Sequence, residues 1–143
     1  MKNFNTTVTN ISFTAKICYN GENFVCEGNT INDALNLKIL KPAIIKGFTL
    51  SVNKNGLNGK FKAIEKEFGT TSAPLDNVAT VLYNIFSDVI NKEANNTNDN
   101  CTIDGKINNL KYSFIFSPSG LPIELKVKSI DLQIKFNNVT IVN

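Results

Sequence analysis

The chain is 143 residues long and 42 % hydrophobic, enough for one domain, residues 1–143, to bury a sizeable core without disulfides or metal. Its net charge of +3 comes from 15 basic and 12 acidic residues. The lysines are spread along the chain, so no concentrated field for a polyanion is evident and nucleic acid is not an expected partner. Histidine is absent, which removes the commonest general base and the commonest nitrogen ligand for zinc, copper or iron.

Cys18, Cys26 and Cys101 show no C-x-x-C spacing, which argues against a zinc site or a redox dithiol, and their odd number leaves at least one thiol unpaired in a monomer. Neither a metal nor a cofactor is expected. No apolar run is long enough to span a bilayer, and Met1-Lys2-Asn3 leads into polar residues rather than an apolar signal core.

The first element is a strand. Ile11, Phe13, Ala15 and Ile17 alternate with Ser12, Thr14 and Lys16, the period of a strand with one buried face. Asn20-Gly21 supplies a tight turn, and a two-residue hairpin there sets Tyr19 against Glu22, Ile17 against Phe24 and Ala15 against Cys26. In that register Cys26 points inward and Cys18 outward, which argues against a bridge between them. A pairing of Cys101 with Cys18 stays open.

Leu35, Leu37 and Ile39 predict a third strand that stops at Lys41-Pro42, because proline offers no ladder donor. Ala43 to Gly47 reads as one helical turn or a wide loop. Phe48, Leu50 and Val52 resume the strand period, Asn55-Gly56 offers a turn, and Leu57 to Ile64 returns as the hairpin partner. Asparagine, heavily used throughout, sits mainly between apolar runs, where it tolerates a left-handed backbone.

One helix is predicted between Pro74 and Glu93: Leu75, Val78, Ala79, Leu82, Ile85, Phe86, Val89 and Ile90 recur at three- and four-residue intervals and form one apolar face. Thr71 or Ser72 is available as its cap, and Pro74 suits its first turn. Residues 94–101 read as a mobile loop. Beyond it Leu110, Tyr112, Phe114 and Phe116 share one strand face, and Ser117-Pro118-Ser119-Gly120 makes a turn. Apolar residues then stand at odd positions (Ile123, Leu125, Val127) and later at even ones (Ile130, Leu132, Ile134, Phe136), so a tight turn or bulge is required near Lys128 to Asp131.

No nucleophile and base stand together. Glu65 and Glu67 flank Lys66 but read as a solvated face. Asn55 to Lys60, although glycine-rich, lacks phosphate-loop spacing and leads into a strand. Asn-x-Ser/Thr triplets at Asn5, Asn10, Asn95, Asn100 and Asn138 are what a chain rich in asparagine and threonine produces by chance. The ten phenylalanines are the stronger signal: they build an apolar interior, filled or hollow.

The order of elements, the segment Pro42-x-x-Ile45-x-Gly47, the stretch from Tyr112 to Pro122 and the ending Ile134 to Val139 together resemble the lipoprotein localisation factor superfamily (LolA/LolB-like). The likeness is greatest to uncharacterised lipoproteins of low-GC Gram-positive bacteria. This resemblance implies an α+β fold, a strongly curved antiparallel sheet forming an incomplete barrel, with one main amphipathic helix over a concave face that holds acyl chains. It also implies a monomeric, extracytoplasmic lipoprotein domain of the cell envelope, tied to the membrane through a lipidated cysteine near its start. No such cysteine is present here, so the expectation is that the signal and anchor have been removed.

A second departure is that the carriers begin with a helix, whereas this chain reaches strand character by Ile11. The cavity is then smaller, open, or filled by side chains such as Phe86 and Leu82. The expected function is noncatalytic binding of a lipid or other apolar ligand between sheet and helix, with Phe48, Leu50, Leu82, Phe86, Ile90, Phe114 and Phe116 as the contact residues. The competing expectation is a structural or protein-interaction module with a filled core.

Overall fold

In the computed structural model, residues 8–60, 69–90, 95–97 and 100–142 are described. They form ten strands and one long helix: β1 (Ile11–Tyr19), β2 (Glu22–Ile31), β3 (Ala34–Lys41), β4 (Thr49–Asn53), β5 (Gly56–Lys60), α1 (Gly69–Val89), β6 (Asn95–Thr97), β7 (Asn100–Ile107), β8 (Leu110–Phe116), β9 (Pro122–Val127) and β10 (Leu132–Ile141). Short 3-10 turns occupy Ala43–Ile45 and Lys128–Ile130.

All these strands belong to one antiparallel sheet, ordered β5-β4-β3-β2-β1-β10-β9-β8-β7-β6. Two five-strand meanders therefore lie on either side of α1 in sequence, and the pairing of β1 with β10 joins them at the centre. The β1–β2 register matches the two-residue hairpin expected, with Tyr19 opposite Glu22 and Ala15 opposite Cys26.

Turn chemistry explains the hairpins. Residues at positive φ close β1–β2 (Asn20 50°, Gly21 83°), β2–β3 (Asn32 56°, Asp33 59°) and β7–β8 (Asn108 44°, Asn109 69°). This backbone suits the twist of antiparallel strands but strains any residue with a bulky Cβ. Among the described residues, every non-glycine residue at positive φ is Asn or Asp. The β9–β10 connection obeys the same rule: a 3-10 turn ends at Asp131, φ 53°, and moves the buried set from odd to even positions.

The sheet is open and half-barrel-like. Ladder shifts fall between Ser12 and Thr14 against β10, where Asn138 takes φ 52°, between Val25 and Cys26 against β3, and between Ile115 and Phe116 against β9. Each extra residue bends its strand and adds twist. The curl is visible from the helix. Tyr83 donates to the Asp33 carbonyl on the β2–β3 turn, and Asp88 accepts from Tyr112 on β8. Those strands stand about 19 Å or more apart in a flat sheet, whereas five helical residues advance about 7.5 Å.

Several boundaries differ from expectation. The helix begins at Gly69, not at Pro74, so Thr71 and Ser72 lie inside it rather than capping it. Residues 69 to 73 add no apolar period, which hides the early start from a pattern reading, and Pro74 forgoes one ladder bond near the helix start. The β4–β5 loop is Lys54-Asn55, one residue before the Asn55-Gly56 turn expected, with Asn53 opposite Gly56 and the Asn53 Oδ1 accepting from Asn55 N–H. Asn95–Thr97, expected in a loop, pairs with β7 as the edge strand β6, because a ladder needs only backbone groups and an edge strand need not bury its side chains. Glu65 to Glu67 and Asn5 lie outside the described residues. No helix among the described residues is long and apolar enough to cross a membrane.

Candidate functional site

One sheet face and one side of α1 make the core. Inward residues of β1, β8 and β10 supply Phe13, Phe114 and Phe136, and α1 supplies Phe86 in their midst. Phe86 stacks on Phe114 (centroids 5.8 Å, interplanar angle 25°) and meets Phe13 edge-on (6.4 Å, 82°). Phe114 in turn stacks on Phe116 at 4.4 Å and on Phe136 at 5.7 Å. Offset and edge-on ring pairs of this kind contribute about 0.5–1.5 kcal/mol each beyond their area burial.

Of the seven expected contact residues, Phe48, Leu50, Leu82, Phe114 and Phe116 are buried in this packed interior, with Leu82, Phe114 and Phe116 at 0 % exposure. Phe48 and Leu50 sit on the β3–β4 flank of it. Phe86 and Ile90 reach an opening.

That opening is a groove of about 310 Å³ between the carboxyl end of α1 and the β2–β3 hairpin tip. Its buried walls are Val8, Thr30, Leu35 and Phe86, and Ile90, 54 % exposed, stands at its rim with Asn32 and Asp33. Local bonding explains the shape. Asn10 N–H donates to the Thr30 carbonyl (2.5 Å) and the Asn10 carbonyl accepts from Val142 N–H (2.7 Å), which anchors the chain beside Val8. The Thr30 hydroxyl accepts from Ile11 N–H at 3.3 Å, so this buried oxygen is satisfied rather than offered to a ligand. Ser87 donates to the Tyr83 carbonyl within the helix.

The groove thus offers apolar contact with a polar rim. Among the described residues, no buried side-chain oxygen or nitrogen lacks a partner and no cluster of three or more metal-ligating side chains occurs. Burial pushes the Cys26 thiol up to about 12, with Glu27 adding to the effect. Burial also raises the Tyr112 phenol, helped by its bond to Asp88 and by the charges of Asp88 and Asp104. Both groups stay protonated at neutral pH, and neither lines the groove. The helix period pointed to Phe86 and Ile90. Val8 and Thr30 carried no signal, because their place follows from where residues 8–10 meet the hairpin tip.

No protein-family model matches the chain, and no curated protein matches it in sequence. Among solved structures, the fold is similar to that of an uncharacterized conserved protein from Thermus thermophilus, with a TM-score of 0.56 and 8 % identity over 95 % of this chain and 80 % of that one. A structure of PNGF-II aligns with a TM-score of 0.37 and 10 % identity, over 93 % of this chain and 28 % of that one. The first likeness is one of fold alone.

Proposed function

We propose that this protein is a noncatalytic binding domain of the lipoprotein localisation factor type that takes an acyl chain, or an apolar group of similar bulk, in the groove between α1 and the β2–β3 tip. The observation that carries this reading is the exposed Ile90 beside the buried Phe86 at the mouth of an apolar groove of about 310 Å³. That volume stands at the small end of ligand pockets. The binding force is burial, about 0.8 kcal/mol for each CH₂ removed from water. Phe86 sets the depth: its ring closes the way to the aromatic stack, so one chain end fits and a bulkier guest must displace the ring. A monomeric, extracytoplasmic, lipid-anchored home belongs to the same proposal, and an amino-terminal lipid on protein from its native host is the observation that tests it.

A second reading, an interaction module with a filled core, is favoured by the stacked interior around Phe114. Titrating delipidated protein with a fluorescent fatty acid separates the two. Saturable uptake that Ile90→Asp abolishes while leaving the unfolding midpoint in place supports the carrier. Absence of saturable uptake, with Leu82→Glu changing only stability, removes it in favour of the module.

A further inference from the structure

The outer face of the sheet carries a second feature, which shares no lining residue with the groove. All 15 basic residues of this chain are lysine, and four of them, Lys106, Lys111, Lys126 and Lys128, surround one open hollow of about 810 Å³ on β7, β8 and the β9–β10 turn. Lys106 and Lys111 are direct register partners across the β7–β8 hairpin. Like charges placed opposite one another destabilise a ladder, so the fold carries a cost here that a bound anion would relieve.

The carboxylates nearby do not cancel the charge. Lys126 lies 3.8 Å from Glu124, which also accepts from Gln133. Lys106, Lys111 and Lys128 make no ion pair among the described residues. Asp104 is the one carboxylate among the described residues that lines the hollow, on the row where Ser113 stands between it and Lys126. Ser113, Ser129 and Asn109 also line it and add neutral donors. Ammonium groups with short hydroxyl and amide donors suit a compact, multiply charged oxyanion, which lysine binds as a point charge. The hollow spans three strands, about 10 Å between the outer two, the scale of one such group.

We propose that this hollow is a binding site for a phosphate group, carried either by a small molecule or by a phospholipid headgroup. It is independent of the apolar groove. The expected behaviour is saturable, with affinity falling as ionic strength rises.

The test follows backbone amide signals of the intact chain. Inorganic phosphate is titrated against chloride of matched ionic strength, and in parallel the protein is sedimented with vesicles of phosphatidylglycerol and phosphatidylcholine or of phosphatidylcholine alone. Saturable shifts at Lys111, Ser113 and Ser129 with phosphate, absent with chloride, support the site and identify a free phosphate as sufficient. Binding to the anionic vesicles alone supports it with the headgroup as source, provided the variants agree. Lys111→Gln and Lys128→Gln each weaken binding about three- to fivefold, Asp104→Asn tightens it, and Lys38→Gln, on the outer face of β3, leaves it unchanged. The proposal is overturned if neither phosphate nor anionic vesicles bind saturably, if chloride produces the same shifts, or if Lys38→Gln weakens binding as much as Lys111→Gln.

Discussion

The ring of Tyr112 occupies the space where its register partner across the β7–β8 hairpin, Gly105, would carry a Cβ, and from there the phenol donates to Asp88 of α1. A Cβ built on Gly105 would lie 2.7 Å from Tyr112 Cε2 and closer still to Cζ and Oη. The other half of the sheet repeats the device. Phe13 lies over its partner Gly28, whose Cβ would meet Phe13 Cζ at 2.6 Å and Leu37 Cδ2 at 2.8 Å. An aromatic ring laid over a strand glycine covers the exposed backbone and pins the register. Gly105→Ala and Gly28→Ala are therefore each expected to lose about 1–3 kcal/mol by overpacking, and Tyr112→Phe about 1–2 kcal/mol through its hydrogen bond to a carboxylate. Urea midpoints check these values, and an unchanged midpoint in Gly105→Ala contradicts the packing account.

Alkaline pH is expected to destabilise the fold. The Cys26 thiol is raised from 9.0 to about 12, and the Tyr112 phenol is raised as well, so both hold their protons more tightly folded than unfolded. The Cys26 contribution is complete below about pH 9 and is lost as pH rises from there towards about 12, while that of Tyr112 is complete below its ordinary value of 10.0 and falls away above it. Cys26→Ala should flatten the fall in urea midpoint over the accessible part of that window. A slope identical to that of the parent chain refutes the assignment to Cys26.

The thiols should separate by accessibility. None is in a disulfide; Cys18 faces outward and is half-buried, whereas Cys26 and Cys101 are buried. Iodoacetamide should modify Cys18 in the native protein and the other two only after unfolding, because the reactive species is an accessible thiolate. Peptide mass mapping reads the order directly.

Turn substitutions report on the left-handed backbone. At the β2–β3 tip, Asp33 with φ 59° presents its backbone carbonyl to Tyr83. Asp33→Gly should stabilise by about 0.5–1 kcal/mol, and Asn32→Val should destabilise by about 1–2 kcal/mol. Equal thermal midpoints for the two variants exclude the conformational explanation.

Phe86 tests core and groove together. Its truncation to alanine should lower stability by about 3–5 kcal/mol and lengthen the groove towards Phe114, so that a longer acyl probe binds better than it does to the parent chain. Ile90→Asp, at an exposed position, should leave stability within about 0.5 kcal/mol. Calorimetry of the two variants with and without probe distinguishes the roles.

Local chemistry was legible in the order of residues. Alternation placed β1 to β4, β8 and β9, the pair Asn20-Gly21 set the first register, and the change from odd to even positions required the turn at Lys128 to Asp131. These features depend on neighbours within a few residues, through sterics and a period of two. The long strand β7 was not read, because Thr102, Asp104 and Lys106 outnumber its inward Cys101 and Ile103, and Gly105 carries no side chain to mark the face.

What the amino-acid order determined on its own was a sheet-rich chain with one apolar helix and an aromatic interior. Tertiary structure alone decided which phenylalanines meet and that Val8 and Thr30 wall the groove beside Phe86, whereas the consecutive strands β7, β8 and β9 and the turn after them gather Lys106, Lys111, Lys126 and Lys128 at one hollow on the outer face. The reason is physical: curvature and strand order bring together residues distant in sequence, as in the pairing of Ile11 with Ile141, and no local period encodes that proximity.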